Sequence, residues 1–569
     1  MKTRYIVPLL LFCLFACMAC EDDKTEMPRL FRPSFIASSC FAEDNTITLA
    51  WRTSGEATSY TVELSQDATF QSEKLETQTV EHGKCVFTNL RYETKFYARV
   101  RANNESLAIT SNWTEMGSSI STLSRTIPKI LYAVEGSRIS ETSVEIKWVV
   151  SEKNPVDGLA IWEEGTTEER QISLENASAG QYTITGLTPR TTYYVALTNS
   201  AAPEGAEKYN QQRFTTAGMP ADAVVVEDGV DLMDKIKAGM TDASKQALVF
   251  QLKNGVDYYL TAGGEVAAKT GDIKLTKSIA LLANPGERPT LYIREGCFNV
   301  KPESGNMPDI EYFVVDNVNI KETWTDSKPS KGSKTRLLNI GKHDAGTDFT
   351  IDRFEITNSD IVLPSAVLMM SDASEGVTTI NHIRIDNCLV SGINTSAVSK
   401  QFGFIHAINK GSNVWNDVSV TNSTFYEFYI SPGVFGAPTA NVPIAAGNKV
   451  VISNCTFYNW GSNKDGKNTY RAVGNFSKLT APLNLSVSNC VFGSSESKVL
   501  DAGGINLDSK GNYCTSDFEK MSDAGLTLIS LDTDDASLFR NIEENDFTVI
   551  DAESVIYKSE YGCLLYTSP

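Results

Sequence analysis

Six copies of one short pattern decide the fold of this chain, and the first copy is Val315-Asp316-Asn317-Val318-Asn319-Ile320. The pattern is an apolar residue, any residue, asparagine, any two residues and a second apolar residue. Its asparagines are 29 to 41 residues apart, so loops of different length separate a constant core motif. Such repetition predicts a solenoid of stacked coils. The asparagines are Asn317, Asn358, Asn387, Asn422, Asn454 and Asn489.

The asparagine in each copy predicts a sharp turn between two strands. Asn tolerates the left-handed backbone conformation that such a turn requires, and coils stacked about 4.8 Å apart let each side-chain amide bond to the next coil. We expect the residues two before, one after and three after each Asn to point inward. Cys388, Cys455 and Cys490 each follow an Asn and are therefore predicted to be interior packing residues. The segment Gly511-Asn512-Tyr513-Cys514 is a degenerate seventh copy.

Two stretches before the repeat show short alternating strands with an early tryptophan, Trp51 or Trp148. The second stretch continues with Leu187-Thr188-Pro189-Arg190-Thr191-Thr192-Tyr193. A buried Trp followed by Leu-x-Pro-x-Thr-x-Tyr resembles the fibronectin type III fold. The resemblance implies that the tyrosine hydroxyl bonds back to the backbone at a strand corner. The first stretch has Phe96 at that place, so either Tyr97 compensates or the corner is lost.

The solenoid resembles the right-handed parallel β-helix of pectin-lyase-like proteins, down to the asparagine turn. Residues 230–239 place Leu232, Met233 and Ile236 on one helical face, as expected for a helix that caps the first coil. The predicted fold class is therefore all-β: two fibronectin type III-like β-sandwiches, then a right-handed parallel β-helix with a short N-terminal capping helix. The expected segments are a lipoprotein signal peptide (1–19), a linker (20–32), the sandwiches (33–124 and 125–217), the β-helix (218–562) and a non-native tail (563–569).

The N-terminus predicts a lipid anchor. Lys2 and Arg4 precede an apolar run that is too short to span a bilayer, and this run ends in Ala16-Cys17-Met18-Ala19-Cys20. The run resembles a bacterial lipobox with Cys20 as the lipidated residue, while lipidation of Cys17 and simple secretion with cleavage after Ala19 stay open. The acidic run after Cys20 resembles the surface-export signal of Bacteroidetes lipoproteins. This resemblance implies an outer-membrane lipoprotein, exposed at the cell surface and encoded beside polysaccharide-utilisation machinery.

Composition excludes several classes of function. Acidic residues outnumber basic ones, 70 to 51, and the formal net charge of −19 argues against nucleic acid as a partner. Four histidines in 569 residues exclude a many-histidine metal site, and 11 cysteines are too few for a disulfide scaffold. No Asp-x-Asp-x-Asp set typical of a calcium loop occurs. We therefore expect no metal or cofactor, although the resemblance allows Ca²⁺ if the protein is a lyase.

Basic residues recur near the strands that we assign to one face of the helix. Enzymes of the pectin-lyase-like superfamily work in such a groove, where a basic residue takes the proton α to a uronate carboxylate. No aspartate pair lies on a strand, which disfavours a hydrolase. The lysine pattern is also typical of solvated charges at strand ends. For His406, a core residue bonded to backbone is an equal alternative. The candidate catalytic residues are Lys342, Lys410, Lys449, Lys478, Arg471 and His406.

Two aromatic segments, at residues 425–429 and 457–460, are 32 residues apart, which corresponds to one coil. In-register stacking places Tyr426 beside Tyr458 and Phe428 beside Trp460. Flat aromatic side chains that recur along a solenoid suit stacking on sugar rings, so these four are candidate glycan-binding residues. The same segments also suit a hydrophobic stack that seals the core.

Three functions are compatible with these features. The first is a surface lipoprotein that binds polysaccharide, including uronate-rich, pectin-like chains, through its β-helix as part of glycan utilisation. The second is a polysaccharide lyase that acts by β-elimination, which is favoured over a glycoside hydrolase. The third is a structural or adhesive surface protein. The expected partners are a polysaccharide, the outer membrane through the lipid anchor, and other glycan-uptake proteins.

Overall fold

The computed structural model describes residues 29–559 except for 228–231, 261–272, 294–297, 323–335, 364–366, 373–374, 393–402, 409–411, 430–432, 437–448, 462–469, 477–482, 502, 504, 520–524 and 552–553. The described residues form two compact units. One contains the residues up to Arg125 together with Ala201–Glu207, and the other contains Thr126–Ser200 and the residues from Lys208 onward. Cys20, Lys410, Lys478 and the tail at 563–569 lie outside the described residues.

The first unit contains an antiparallel β-sandwich. Alternate side chains along its strands are apolar and bury themselves between the two sheets, and Trp51, Phe87 and Phe96 lie in this core. Its strands are β1 (Ser34–Phe35), β2 (Phe41–Glu43), β3 (Thr46–Arg52), β4 (Ser59–Ser65), β5 (Glu76–Val80), β6 (Lys84–Phe87), β7 (Lys95–Asn104), β8 (Ile109–Thr110), β9 (Thr114–Glu115) and β10 (Ile120–Ser121).

The second unit begins with another antiparallel sandwich, which buries Trp148. The Tyr193 hydroxyl accepts a hydrogen bond of 3.1 Å from the backbone N–H of Thr188, which confirms the corner that the resemblance implies. Phe96 of the first sandwich is buried but has no hydroxyl for such a bond. The strands are β11 (Ser143–Lys147), β12 (Gly158–Glu163), β13 (Glu169–Ser173), β14 (Gln181–Thr185), β15 (Thr192–Thr198) and β16 (Lys208–Thr215).

Three parallel sheets form a β-helix in the rest of this unit, and the chain visits the first, second and third sheet in turn. The expected all-β class is confirmed. The first sheet contains β17 (Val224–Val226), β18 (Ala247–Leu252), β21 (Lys277–Leu282), β24 (Asp309–Asp316), β27 (Phe349–Thr357), β30 (Val377–Asp386), β33 (Ser412–Thr421), β36 (Lys449–Ser453), β39 (Leu483–Ser488) and β42 (Ile505–Lys510). The second contains β19 (Asp257–Tyr259), β22 (Thr290–Ile293), β25 (Asn319–Glu322), β28 (Asp360–Val362), β31 (Leu389–Ser391), β34 (Thr424–Tyr426), β37 (Thr456–Tyr458), β40 (Val491–Phe492), β43 (Tyr513–Cys514) and β44 (Ile529–Ser530). The third contains β20 (Ile273–Lys274), β23 (Phe298–Val300), β26 (Arg336–Ile340), β29 (Val367–Asp372), β32 (Ile405–Ile408), β35 (Phe435–Gly436), β38 (Arg471–Asn475) and β41 (Lys498–Asp501).

The asparagine turns join the first sheet to the second. All six predicted asparagines have a left-handed backbone, with φ between 49° and 58°. The Asn387 side-chain amide donates to Asn358 Oδ1 at 2.7 Å, and the Asn454 amide donates to Asn422 Oδ1 at 3.3 Å. The ladder thus forms between these coils as predicted.

Elsewhere the ladder includes the residue just before the turn. Asn358 donates to Asp316 Oδ1 at 2.8 Å, and Asn422 donates to Asp386 Oδ1 at 2.9 Å. The degenerate seventh copy also differs from its prediction, because Gly511 is the left-handed residue, with φ of 63°. Asn512 follows it and accepts from the backbone N–H of Cys490.

The interior columns lie where the pattern predicts. The residues two before, one after and three after each Asn are all fully buried. Phe425, Phe457 and Phe492 stack on consecutive coils, with ring centroids 5.1 and 5.2 Å apart. Cys388, Cys455 and Cys490 are buried, unoxidised interior residues, and burial raises the pKa of the Cys388 thiol to about 12.

Short helices cover the two ends of the solenoid. Helix α1 (Leu232–Thr241) buries Leu232, Met233 and Ile236 against the first coil, as expected for the capping helix. Helices α2 (Asp535–Leu538) and α3 (Val555–Ser559) flank the antiparallel pair β45 (Phe539–Asn541) and β46 (Asp546–Val549) at the other end. In the described part of the chain, none of the helices has the length and apolar run that a membrane span requires.

Replacing Asn387 tests the turn. Asn387→Ala should lower the free energy of unfolding by about 2 kcal/mol, because it loses the bond to Asn358 and because alanine adopts the left-handed region less readily than asparagine does. Asn387→Gly should cost about half as much, since glycine adopts that backbone freely. Urea denaturation of the two variants measures the difference. Equal losses would show that backbone conformation is not the constraint at this turn.

Candidate functional site

The asparagine turn determines which side chains of the first sheet face outward. Side chains alternate between the two faces of a strand, and the residues two and four before each of the six left-handed asparagines are buried inside. The residues one, three and five before it therefore face outward. This fixed offset assigns each outward side chain to one of three columns that run along the solenoid.

The column five residues before the turn is a row of polar side chains, one from each of six coils. Neighbouring members pair directly in the strand register. The exposed fractions of Arg353, His382 and Asp417 are 41%, 52% and 65%. We call this row the polar strip. Its members are Arg353, His382, Asp417, Lys449, Asn484 and Asn506.

Charges of both signs alternate along the polar strip. His382 Nδ1 lies 3.5 Å from Asp417 Oδ2, and the Arg353 guanidinium lies 5.4 Å from the centroid of the Tyr312 ring. The far end of the strip borders a shallow concave surface of about 420 Å³, which is lined by Lys449, Asn484, Leu485, Ser486, Asn506, Leu507 and Asp508. The strip therefore offers cationic groups together with amide donors and acceptors along an extended line.

The second sandwich packs beside the strip through an ion-pair network. Arg213 of the sandwich donates to Asp386 Oδ2 at 2.6 Å and to Glu164 Oε1 at 2.8 Å. Arg384 of the β-helix donates to the same Asp386 oxygen at 2.9 Å and to Glu164 at 3.3 Å. Each cation thus bridges both acids, so the sandwich is fixed to the first sheet.

Because this network is buried, each of its charged groups is costly unless it pairs with an opposite charge. The Asp386 side chain is 1% exposed and that of Arg213 is 9% exposed. Burial alone would raise the pKa of Asp386, but the charges of Arg213 and Arg384 hold that pKa below its usual range. Burial, with a contribution from the Glu164 charge, raises the pKa of Tyr194 to about 12. Removing one partner would leave a buried charge uncompensated.

A polar cleft of about 390 Å³ lies between the second sandwich and the asparagine turns. Its lining includes Glu355 and Arg384, which lie two residues from Arg353 and His382 on the same outward face. The cleft therefore lies beside the polar strip, and the sandwich forms one of its walls. Four arginines line it: Arg190, Arg213, Arg288 and Arg384.

Among the described members, the basic residues that we expected on one face of the helix do not all share one sheet. Lys342 follows the third sheet and pairs with Glu375 at 2.5 Å, whereas Lys449 lies on the first sheet. Strands β26, β29 and β32 pair in parallel in the third sheet. Ile340 pairs with Ser371, which pairs with Ala407, while Ile408 pairs with Asp372.

Two other candidate catalytic residues, Arg471 and His406, bond to neighbouring groups. Arg471 is 12% exposed, and its Nε donates to Asp501 at 2.5 Å. His406 is fully buried, and its Nδ1 accepts from the backbone N–H of Gly403 at 3.0 Å. Burial lowers the pKa of His406 to about 3, so the ring is neutral at physiological pH. Of the two alternatives for His406, the structure shows the core residue bonded to backbone. His406 is therefore no longer a candidate base.

The aromatic candidates form a sealed stack. Tyr426 pairs with Tyr458 in the predicted register. Phe428 and Trp460 are fully buried, and the Trp460 indole donates to the backbone oxygen of Lys498. The Phe547 ring lies 5.3 Å from that of Tyr426 and 5.5 Å from that of Tyr458, so strand β46 covers both tyrosines. Phe428 and Trp460 have no exposed ring face for a sugar, which corrects the glycan-stacking prediction for them. Tyr426 is buried, whereas Tyr458 is half-buried, so the glycan-binding role of Tyr458 stays a prediction.

Neither a family model nor a curated protein matches this sequence. Structural matches include the crystal structure of chicken CNTN1 FN1–FN3 domains, at 16% identity, 34% of this chain, 69% of that chain and a TM-score of 0.15. They also include two fibronectin type III domains of chicken tenascin, at 16% identity, 33% of this chain, all 100% of that chain and a TM-score of 0.17. A human collagen alpha-1(XX) fn3 domain matches at 16% identity, 18% of this chain, 94% of that chain and a TM-score of 0.15. At these TM-scores the assignment of the sandwiches rests on their own strand pairing and cores.

Asp386→Ala tests the ion-pair network. The substitution leaves the buried Arg213 with only Glu164, so we expect a loss of about 3 kcal/mol in the free energy of unfolding. Asp417→Ala, which removes a 65% exposed carboxylate from the same sheet face, should change it by less than about 1 kcal/mol. Urea denaturation of the full chain compares the two, and similar losses would contradict the proposed role of Asp386.

His406 predicts a pH dependence of stability. Its pKa is about 3 in the folded chain and about 6.5 when unfolded, so below pH 6.5 the unfolded state binds more protons. Stability is therefore intact above pH 6.5 and falls by roughly 1.4 kcal/mol for each pH unit below it, down to about pH 3.

His406→Gln keeps an acceptor for the Gly403 N–H but cannot titrate. Between pH 7 and pH 5, the wild-type chain should lose about 2 kcal/mol more than this variant in urea titrations. Parallel losses in the two proteins would show that His406 is not the titrating group.

Proposed function

We propose that this protein binds polysaccharide at the cell surface, and that the polar strip is the binding surface. The observation that carries the proposal is the in-register row of one polar side chain per coil over six coils. Coils repeat about every 4.8 Å, so an extended ligand contacts one polar side chain per coil at a regular spacing. A linear polymer suits such a row better than a compact ligand does.

Charge favours an acidic, uronate-rich polymer. The chain as a whole carries a formal charge of −19, which repels polyanions at long range. Arg353 and Lys449 of the strip and the arginines of the adjacent cleft supply local positive charge. Arginine pairs well with carboxylates because its planar guanidinium can bind both oxygens. The second sandwich then serves as a wall of the binding surface.

The surface location rests on the N-terminal sequence. We propose that Cys20 carries a lipid that anchors the protein in the outer membrane with the β-helix exposed, beside other glycan-uptake proteins. Lipidation at Cys17 is the alternative position. The mass of the mature N-terminal peptide distinguishes the two sites from simple secretion.

A polysaccharide lyase is the second candidate function. Lys449 supports it, because this exposed basic residue borders the concave surface at the end of the strip. Lys410 and Lys478 remain predictions. A structural or adhesive surface protein is the third candidate, in keeping with a chain built of sandwiches and a solenoid. These candidates differ in whether a glycan binds and whether it is cleaved.

Affinity electrophoresis on a panel of neutral and uronate-containing polymers tests the proposal. We expect a uronate polymer to retard the wild-type protein, and the double variant Arg353→Gln with Lys449→Gln to bind about tenfold more weakly. The matched control is Lys342→Gln combined with Lys321→Gln, which removes two positive charges outside the strip. Retardation that is equal in both double variants would contradict the proposed surface.

Absorbance near 235 nm on the same panel, with and without Ca²⁺, separates the other candidates. Unsaturated product that depends on Lys449 would replace the binding function by the lyase. Failure to bind any polymer would favour the structural or adhesive protein.

A further inference from the structure

The cleft between the second sandwich and the asparagine turns has walls that are bonded to each other. A β-carbon on Gly136 of the sandwich would lie 2.4 Å from the backbone nitrogen of Gly286 on the β-helix, so a larger residue would not fit at this junction. The backbone N–H of Gly218, after the last sandwich strand, donates to Asn284 Oδ1 at 3.1 Å. These contacts fix the shape of the cleft, so a ligand that enters it does not have to order the walls.

The carboxylate that joins the two walls has no acceptor capacity left. Asp386 Oδ1 accepts from Thr421 and Asn422, at 2.7 and 2.9 Å. Its Oδ2 accepts from Arg213 and Arg384, at 2.6 and 2.9 Å. An ionised carboxylate has about four lone-pair sites, and these four bonds use all of them. Asp386 therefore offers no acceptor to a ligand.

The arginines of the cleft, in contrast, have donors to spare, because a guanidinium has five N–H groups. Within the described part of the chain, the Arg288 side chain makes one hydrogen bond, from Nη1 to Asp360 Oδ1 at 2.7 Å, and it is 25% exposed. Both bonds of the Arg384 side chain, to Asp386 and Glu164, come from Nη2, and this side chain is 39% exposed. The unused N–H groups of these two arginines require a ligand that supplies acceptors.

We propose that this cleft is a binding site for one uronate sugar unit, with Arg288 and Arg384 as the donors to its oxygens. The choice of an acidic sugar rests on the proposed function. A guanidinium can bind both oxygens of a carboxylate in a planar fork, and such charge-assisted bonds are about twice as strong as neutral ones. The cleft volume of about 390 Å³ lies within the range of small-molecule sites, roughly 300–1,000 Å³.

The cleft and the polar strip are neighbouring sites with separate donors. Arg384 lies two residues from His382 on strand β30, which corresponds to roughly 6.6 Å along the strand. A polymer on the strip therefore passes beside the cleft, and a sugar unit that leaves the line of the strip can enter it. Because the cleft has its own donors, it also binds a free uronate in the absence of polymer.

Saturation-transfer NMR with free galacturonate tests this site on the full chain. We expect a signal from galacturonate and none from galactose, which has the same ring but no carboxylate. Arg288→Gln should weaken galacturonate binding about tenfold, because it removes the planar fork. Arg170→Gln is the matched control, since it removes an exposed arginine of the second sandwich outside the cleft and should leave binding intact.

Arg288→Lys provides a second comparison, because it keeps the positive charge beside Asp360 but lacks the fork. It should weaken galacturonate binding several-fold, and it replaces Arg288→Gln if that variant fails to fold. The proposal is overturned by a wild-type chain that gives no galacturonate signal, by galactose binding as strong as that of galacturonate, or by undiminished binding in the Arg288 variants.

The strip variant separates this proposal from the proposed function. Arg353→Gln with Lys449→Gln should still bind free galacturonate although it binds the polymer more weakly. Loss of galacturonate binding in this double variant would place the sugar on the strip and overturn the cleft site. A wild-type chain that binds galacturonate through Arg288 but retards with no polymer would contradict the proposed function and support the cleft site.

Discussion

The left-handed asparagine at the end of each first-sheet strand is the constraint on which the rest of the structure depends. All six asparagines have a left-handed backbone, and the side chains of five of them bind the previous coil: Asn317, Asn358, Asn387, Asn422 and Asn454. Because side chains alternate in a strand, fixing the turn also fixes which residues face inward. The core columns and the outward columns are thus consequences of one position per coil.

The residue just before the turn connects this constraint to the second sandwich. Asp386 Oδ1 accepts from Thr421 and Asn422 of the next coil, while its Oδ2 accepts from Arg213 of the sandwich. One carboxylate therefore holds both the coil register and the position of the sandwich. A spacer module would need no such bond, whereas a module that forms one wall of a cleft must be held in place.

The sequence predicted the structure where one residue type occupies the same position in every coil. The asparagines marked the turns, so the burial of Val315, Cys388 and Phe457 could be predicted from their offsets. The third sheet has no such marker, so the sequence did not predict that Ile340 pairs with Ser371 and Ser371 with Ala407. The polar strip was also missed, although counting back five residues from each asparagine after Asn317 would have found its first five members.

Exposure was harder to predict than register. Tyr426 and Tyr458 do pair as expected, but Phe547, nearly 90 residues farther along the chain than Tyr458, covers both rings. Contacts between such distant segments leave no periodic pattern in the sequence. His406 could be read as either a groove or a core residue for the same reason, because its burial depends on neighbouring coils.

The central claim is that the outer face of the first sheet contacts the glycan, and hydroxyl-radical footprinting with a bound uronate oligomer tests it most directly. The account predicts that oxidation of His382 and Tyr312 falls when the oligomer is present, because both side chains lie in the column five residues before the turn. Oxidation of Tyr182, which is 37% exposed on the second sandwich, should stay constant. Protection of residues at the third sheet instead, with His382 and Tyr312 unchanged, would contradict the account.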